Sequence, residues 1–229
     1  LGYESIWTAE AYGSDAVTPA AWILAQTTKM KVGTAIMQMP ARTPAMAAMT
    51  AMSLAELSGG RFIVGLGASG PQVVEGWHGV PYGKPVTRTK EYIQVMRKIM
   101  ERDGPVEFNG QIYHLPNKGE GTTGLGKPLK LINHPVREDI PIFWASLMGL
   151  SVTATAQYAD GWLPIFFDPD KFQSVWGDDL KAGTAERDPD LFVVYLGHNE
   201  MVGPYGAATI FRGVTARSYL LFLPQSGSA

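Results

Sequence analysis

The sequence predicts an α/β fold in which helices cover a parallel β-sheet. Short apolar segments of strand type alternate with longer segments of helical type along most of the chain. The strand-like segments are apolar on both faces, which is typical of a parallel sheet that is buried on both sides. A chain of 229 residues, 45% of them hydrophobic and 17% charged, can also bury the core of one globular domain.

Six segments have the length and composition of strands: residues 5–10, 31–37, 61–67, 140–145, 161–167 and 191–197. Helices are predicted between them, over residues 15–28, 44–57, 87–101, 151–159 and 169–183. The helix over 44–57 has Pro44 in its first turn and Gly59 and Gly60 after its end, where proline and glycine are favoured.

Two stretches depart from the alternation. Residues 103–137 are rich in glycine, proline and lysine and are predicted to be an insertion. Within them, Asn109 and Gly110 lie between two short apolar runs and predict a two-residue hairpin turn. From residue 199 to 229 the alternation is lost, and this tail is predicted to be atypical, with one short strand or helix over 218–223.

The glycines that follow the third strand bear on the architecture. Gly65, Gly67 and Gly70 approach the phosphate-turn pattern of an open doubly wound sheet, which would follow the first strand and open a long helix. Here the pattern follows the third visible strand and leads into Pro71. We therefore favour a loop at the mouth of a (β/α)₈ barrel of the TIM type over an open sheet.

Charge and composition exclude several classes of function. The net charge is −2, no cysteine is present, and no apolar run approaches the roughly 18 residues of a membrane span. We expect no nucleic-acid or membrane partner, no metal site, and a cytoplasmic location. The predicted strand ends at the barrel mouth are apolar, rich in small residues and poor in acid–base groups, which fits a large planar cofactor that brings its own chemistry.

Several motifs resemble the luciferase-like monooxygenase family. They are the run from Gly33 to Pro44, the helix after it, and residues 58–67. Residues 65–79, which include Ser69-Gly70-Pro71-Gln72 and Trp77-His78, are most similar to the actinobacterial branch that uses the deazaflavin coenzyme F420. Residues 159–162 resemble the entry to the family's sixth strand, and the likeness extends from residue 1 to about 197.

The resemblance implies a bacterial-luciferase type of barrel. The second to seventh family strands are recognisable, whereas the first is missing and the eighth is not recognisable in the tail. We therefore expect a single, incomplete barrel domain over residues 1–229.

The activity implied by the resemblance is hydride transfer between coenzyme F420 and a small organic substrate. Two alternatives stay open: an FMN-dependent monooxygenase that needs a separate flavin reductase, and a degenerate fragment that binds a ligand without turnover. The family also commonly forms homodimers.

The same resemblance nominates site residues. Glu10 is the candidate for proton transfer, with a cap or an ion pair as the alternative role, and His78 is the second catalytic candidate, with packing beside Trp77 as its alternative. The candidate cofactor-binding residues are Thr8, Ala35, Ile36, Gln38, Ala68, Ser69, Gly70, Glu75, Ser146, Leu147, Met148 and Gly149.

Two local features are implied as well. A non-prolyl cis peptide bond is expected at Ala35–Ile36, and Gln38 is either a partner for the polar edge of the cofactor ring or an ordinary loop residue. Amides at the start of the helix from Ser151 would bind the cofactor phosphate. Relatives usually carry glycine where Met148 stands and a polar or basic residue near Leu150, so the phosphate contact is where this sequence departs from the pattern.

Overall fold

The computed structural model describes residues 5–136, 139–165, 167–168, 171–185 and the backbone of 193–194. The strands of the main sheet are β1 (Ser5–Thr8), β2 (Lys31–Thr34), β3 (Met37–Gln38), β4 (Phe62–Gly67), β7 (Ile142–Trp144), β8 (Gly161–Trp162) and β9 (Val193–Val194), and the strands of a separate pair are β5 (Phe108–Asn109) and β6 (His114–Leu115). The helices are α1 (Val17–Gln26), α2 (Pro44–Ser58), α3 (Pro71–Gly76), α4 (Pro85–Glu101), α5 (Gly149–Tyr158) and α6 (Phe172–Thr184).

The strands of the main sheet follow one another in chain order. The order is β1-β2-β4-β7-β8-β9, every pairing is parallel, and β3 pairs with β4 at its carboxyl end. A doubly wound sheet would reverse its strand order at a switch point, and no reversal occurs here. The predicted barrel topology is confirmed, and the sheet formed by the described residues does not close on itself.

Helix boundaries agree with the predicted ones to within two or three residues. The two ends of α2 show why. At the start of the helix, the Thr43 side chain accepts a hydrogen bond from Met46 N, and at the end of the helix Gly59 has a left-handed backbone with φ 66°. The predicted strand over 31–37 is instead divided into β2 and β3. The peptide bond between Ala35 and Ile36, at the break, is cis, as the resemblance implied.

The predicted two-residue hairpin turn at Asn109–Gly110 is wrong. Asn109 pairs with His114, so the strands are joined by a four-residue loop over 110–113. The carboxylate of Glu91, on α4, accepts hydrogen bonds from the backbone N–H groups of Gln111, Ile112 and Tyr113. These bonds set the shape of the loop, which a local turn signal could not anticipate.

The core has two layers on the two faces of the sheet. Along β4, Phe62, Val64 and Leu66 point outward and pack under α2 and α4, while Ile63 points into the barrel. The interior is filled by the apolar side chains Trp7, Phe143, Leu163, Ile36, Ile63 and Ala145. The rings of Trp7 and Phe143 lie 5.7 Å apart between centroids.

Glycines on neighbouring strands make room for these two rings. Gly33 is the register partner of Trp7, and Gly161 that of Phe143. A Cβ atom on either glycine would overlap the ring beside it. Each large ring therefore packs over a glycine of the neighbouring strand, and these two pairs fix the positions of the rings that form the floor of the barrel mouth.

None of the helices among the described residues is both long and apolar enough to cross a bilayer. The tail predicted over residues 199–229, with its short element over 218–223, lies outside the described residues.

Candidate active site at the barrel mouth

The carboxyl ends of the parallel strands meet at one edge of the sheet, where (β/α) barrels carry their active sites. Gln38 lies at this edge as the last residue of β3, and the segments after β1, β4 and β7 bring Glu10, residues 68–78 and residues 145–148 there. Below them lie Trp7, Phe143 and Leu163. The mouth is therefore an apolar floor with polar groups around its rim.

Glu10, in the loop after β1, is held by an ion pair with Arg42, which lies between β3 and α2. Nη1 of Arg42 lies 2.9 Å from Oε1 and 2.8 Å from Oε2 of Glu10, and Gln38 N donates to Oε2 at 2.8 Å. The side chains of Glu10 and Arg42 are only 8% and 15% exposed. This geometry is the ion-pair alternative for Glu10, and it makes the carboxylate a positioning group for Gln38 and Arg42.

Arg42 and Tyr92, which lie behind Glu10, were not among the predicted site residues. The hydroxyl of Tyr92 donates to Arg42 O at 3.1 Å and to Thr43 O at 3.2 Å. Burial, the largest effect, raises the pKa of Tyr92, so that the phenol stays protonated. Arg42 was visible only as part of a family motif, because nothing in its local sequence indicates an ion pair with Glu10.

Asp15 lies on the far side of Arg42, with its Oδ2 atom 3.7 Å from Nη2. Desolvation would raise the pKa of Asp15, but hydrogen bonds donated by Thr18 and Val17, together with the charge of Arg42, hold it below its usual value. The carboxylate thus caps the start of α1 and stays ionised beside the guanidinium.

Gln38 connects Glu10 to His78. The Nε2 atom of Gln38 donates to the backbone oxygen of Glu10 at 2.8 Å, and Gln38 Oε1 lies 2.8 Å from His78 Nε2. A carbonyl oxygen can only accept, so the amide must turn its own oxygen toward the imidazole. His78 Nε2 therefore carries the hydrogen, and Nδ1 is the proton-accepting nitrogen of the neutral ring.

Thr8, Ala35 and Ile36 have other contacts. The hydroxyl of Thr8 is buried and donates to Ala16 O at 2.7 Å, so its side chain faces α1 and not the mouth. The N–H of Ala35 donates to Thr8 O at 2.7 Å, and the side chain of Ile36 packs on the apolar floor. Thr8 therefore turns its side chain away from the mouth, Ile36 contributes its side chain to the floor, and Ala35 is exposed.

The loop after β4 is built from small residues. Ala68, Ser69 and Gly70 are partly exposed, Ser69 has a left-handed backbone with φ 64°, and Gly70 O accepts bonds from the first turn of α3. Glu75 is exposed, and its Oε1 accepts a hydrogen bond from Tyr82 N at 3.2 Å. These residues place little side-chain bulk at the rim, whereas the carboxylate of Glu75 stabilises the loop that follows.

The loop after β7 is fixed by two indoles. Trp162 Nε1 donates to Ser146 O, and Trp176 Nε1 donates to Leu147 O, both at 2.9 Å. The hydroxyl of Ser146 is buried and bonded to Thr155 at 2.7 Å. Ser146 and Leu147 therefore support the loop, with their carbonyl groups turned inward.

The helix α5 begins at Gly149, two residues before the predicted start. Ser151 Oγ donates to Met148 O at 2.6 Å and accepts from Met148 N at 3.2 Å, which closes the first turn. The first amides of a helix lack intrahelical partners and attract anions. Around them, however, Met148 is 76% and Leu150 is 83% exposed, and the carboxylate of Asp179 lies beside Gly149, so the surroundings of this helix end are apolar and acidic.

Known proteins that are similar in sequence point to the same barrel fold. The sequence profile of the luciferase-like monooxygenase family matches residues 1–199. The chain belongs to this family. Luciferase-like proteins have TIM-type barrels, in agreement with the strand order and with the position of the candidate site at the carboxyl ends.

Among luciferase-like relatives, a Mycobacterium tuberculosis protein with the provisional name coenzyme F420-dependent oxidoreductase is 52% identical over 184 residues. The match covers 80% of this chain and 53% of that protein, so the chain spans about half the length of its relative.

Two solved structures illustrate the fold. An F420-dependent secondary alcohol dehydrogenase, in complex with an F420–acetone adduct, has a TM-score of 0.71 at 21% identity and covers 84% of this chain and 60% of its own. The FMN-bound oxygenating constituent of 3,6-diketocamphane monooxygenase from Pseudomonas putida has a TM-score of 0.59 at 20% identity, with 84% and 56% covered. At these identities the structures establish the fold alone.

Proposed function

We propose that this chain is part of an oxidoreductase that transfers a hydride between coenzyme F420 and a small organic substrate. The observation that carries the proposal is the hydrogen-bonded series from Glu10 through Gln38 to His78 at the barrel mouth. It lies beside an apolar floor, on a chain 52% identical to a protein named for dependence on F420.

The residues present suit a flat, anionic cofactor. Ala68, Ser69 and Gly70 place little side-chain bulk at the rim, and Ile36 offers an apolar surface for a ring above the buried Trp7. Ser151 N already donates to Met148 O, so the donors for a phosphate would be the N–H groups of Gly149 and Leu150. The bound deazaflavin would supply the carbon that gives or accepts the hydride. His78, which is partly exposed, would meet its polar edge, with the buried Gln38 behind it.

His78 would move the proton that accompanies the hydride. Its Nδ1 atom accepts a proton in the neutral ring because Gln38 occupies Nε2–H. Glu10 and Arg42 would act one step away, by keeping the amide of Gln38 in the orientation that selects this tautomer. Glu10 is thus a positioning residue in this mechanism, and its direct role in proton transfer is not part of the proposal.

The first test is equilibrium binding of coenzyme F420 and of FMN to the purified chain, followed by fluorescence. We expect F420 to bind at least about tenfold more tightly than FMN, a difference of about 1.4 kcal/mol. Tighter binding of FMN would transfer the chain to the monooxygenase alternative, which the fold shared with an FMN-bound enzyme also allows. Binding of neither cofactor would support the alternative of a non-catalytic ligand-binding fragment.

The second test examines the tautomer directly. Long-range ¹H–¹⁵N NMR spectra of the imidazoles distinguish Nε2–H from Nδ1–H rings, and a His78→Asn variant assigns the signal among the four histidines. We expect the Nε2–H form in the parent protein and a mixture in Gln38→Leu. Gln26→Leu, a matched change at the exposed end of α1, should leave the spectrum unchanged. An Nδ1–H ring in the parent protein would overturn the assignment.

The partners and the cellular location that we expect for this protein depend on the proposed activity. A hydride-transferring enzyme of this kind would act on its own or as a homodimer in the cytoplasm, whereas an FMN-dependent monooxygenase would need a flavin reductase. Sedimentation measurements on the chain would reveal a homodimer.

A further inference from the structure

A cavity lies on the outside of the barrel, away from the mouth. It has a volume of about 440 Å³ and lies between α2, α4 and the segment over residues 106–135. Its walls are largely apolar, with Met49 and Met52 from α2, Ile99 from α4, and Leu115, Leu129 and Ile132 from the segment. We call this space the outer cleft.

The outer cleft does not belong to the candidate active site. None of the residues at the mouth, from Glu10 to His78 or in the loop after β7, lines it. Its volume lies within the range of about 300–1,000 Å³ that is usual for small-molecule sites, which are likewise mostly apolar with a few polar groups.

The outer wall over residues 127–135 is anchored to the protein, although these residues form neither helix nor strand. Val106 N donates to Leu129 O at 2.8 Å, and Arg102 Nε donates to Leu131 O at 3.0 Å. Even so, Leu129 and Ile132 are 68% and 89% exposed, and Met49 is 49% exposed. Large apolar side chains left in contact with water around one concave surface are typical of a site that a ligand covers.

The polar groups of the cleft are mainly basic. Lys127, Lys130 and His134 line it against one carboxylate, Glu56. In the part of the chain that the structure describes, neither lysine forms an ion pair. An apolar space with unpaired ammonium groups at its border is complementary to a molecule that has a hydrocarbon chain and one negative charge.

We propose that the outer cleft is a binding site for a free medium-chain fatty acid. The hydrocarbon chain would lie against Met49, Met52 and Leu129, and the carboxylate would bind Lys127 and Lys130. The proposal is independent of the cofactor and the reaction at the mouth, because none of the residues nominated there takes part.

Calorimetric titration with octanoate, decanoate and dodecanoate, each below its micelle concentration, tests the proposal. Burial of a methylene is worth about 0.8 kcal/mol, so each added methylene should tighten binding about fourfold until the cleft is full. In Lys127→Gln/Lys130→Gln, decanoate should bind at least about tenfold more weakly, while its neutral analogue 1-decanol should change less than about twofold. Ser53→Trp, which places an indole on the cleft face of α2, should abolish binding of both.

The matched control is Lys31→Gln/Lys181→Gln, which removes the same charge from exposed positions elsewhere. Equal losses of decanoate affinity in the two double variants would show that overall charge causes the effect, and would overturn the proposal. So would an absence of decanoate binding, or binding only to anionic vesicles and not to the free acid. A concentration-dependent dimer that Met49→Glu dissociates would assign the cleft to a second copy of the chain and equally overturn it.

Discussion

Replacing Glu10 by glutamine tests whether the main role of this carboxylate is to stabilise the fold through its ion pair with Arg42. The change keeps the shape of the side chain but removes the charge and one of the acceptors for Arg42 and Gln38. Hydrogen bonds to charged groups contribute about 1.5–3 kcal/mol, and breaking a fully buried pair costs about 3–5 kcal/mol. Since the two side chains retain 8% and 15% exposure, we expect a loss of about 2–4 kcal/mol.

A double-mutant cycle assigns that loss to the pair. Urea unfolding of Glu10→Gln, Arg42→Met and the double variant should give a coupling free energy of about 1–3 kcal/mol, at an unchanged slope m. The control is Glu101→Gln, an exposed carboxylate at the end of α4, which should change stability by less than about 0.5 kcal/mol. Additive losses, or a Glu10→Gln protein as stable as the parent, would refute the reasoning and return Glu10 to the list of direct proton-transfer candidates.

Further predictions concern stability and cofactor affinity. Desolvation would raise the pKa of Glu91, but three backbone N–H groups hold it below 4.5, so its contribution is present above about pH 4.5 and is lost as the pH falls through the lowered value. Glu91→Gln should therefore cost about 2 kcal/mol in urea unfolding at pH 7 and progressively less below pH 4.5. Arg61→Lys should cost about 2–3 kcal/mol in the same assay, because Arg61 donates to the carbonyls at the ends of both α1 and α2. Gly183→Val should lower the melting temperature by several degrees, since a Cβ there would overlap Thr153 O where α6 crosses α5. Leu150→Lys should tighten F420 binding at low salt by about five- to tenfold, an effect that 0.5 M salt should remove.

Much of the fold could be predicted from local sequence. Strands and helices were located because each carries its own signal, such as Pro44 and Gly59 at the two ends of α2. The hairpin was misjudged because Glu91, some twenty residues earlier in the chain, determines the conformation of residues 111–113. A turn motif predicts a loop only where no distant side chain competes for its amides.

The candidate site was predicted less fully, and for a related reason. Barrel geometry places Glu10, Gln38 and His78 near one another because they follow parallel strands of one sheet. It does not say which side chains bond to which. Thr8 faces α1 and Glu75 bonds to Tyr82, because the backbone around each of them offers a nearer partner than the mouth does.

The loop after β7 affects both the fold and the candidate site. Its path is maintained by indoles from β8 and α6, so the amides of α5 reach the mouth even though the sequence of the loop departs from the family pattern. What the departure changes is the surroundings of those amides, where the exposed side chains of Met148 and Leu150 are hydrocarbon and the carboxylate of Asp179 lies beside Gly149. A helix terminus still favours an anion, but this attraction amounts to only about 0.3–1 kcal/mol at an exposed site. The affinity for a phosphorylated cofactor should therefore depend more on the apolar floor and on Gln38 and His78 than on the phosphate contact itself.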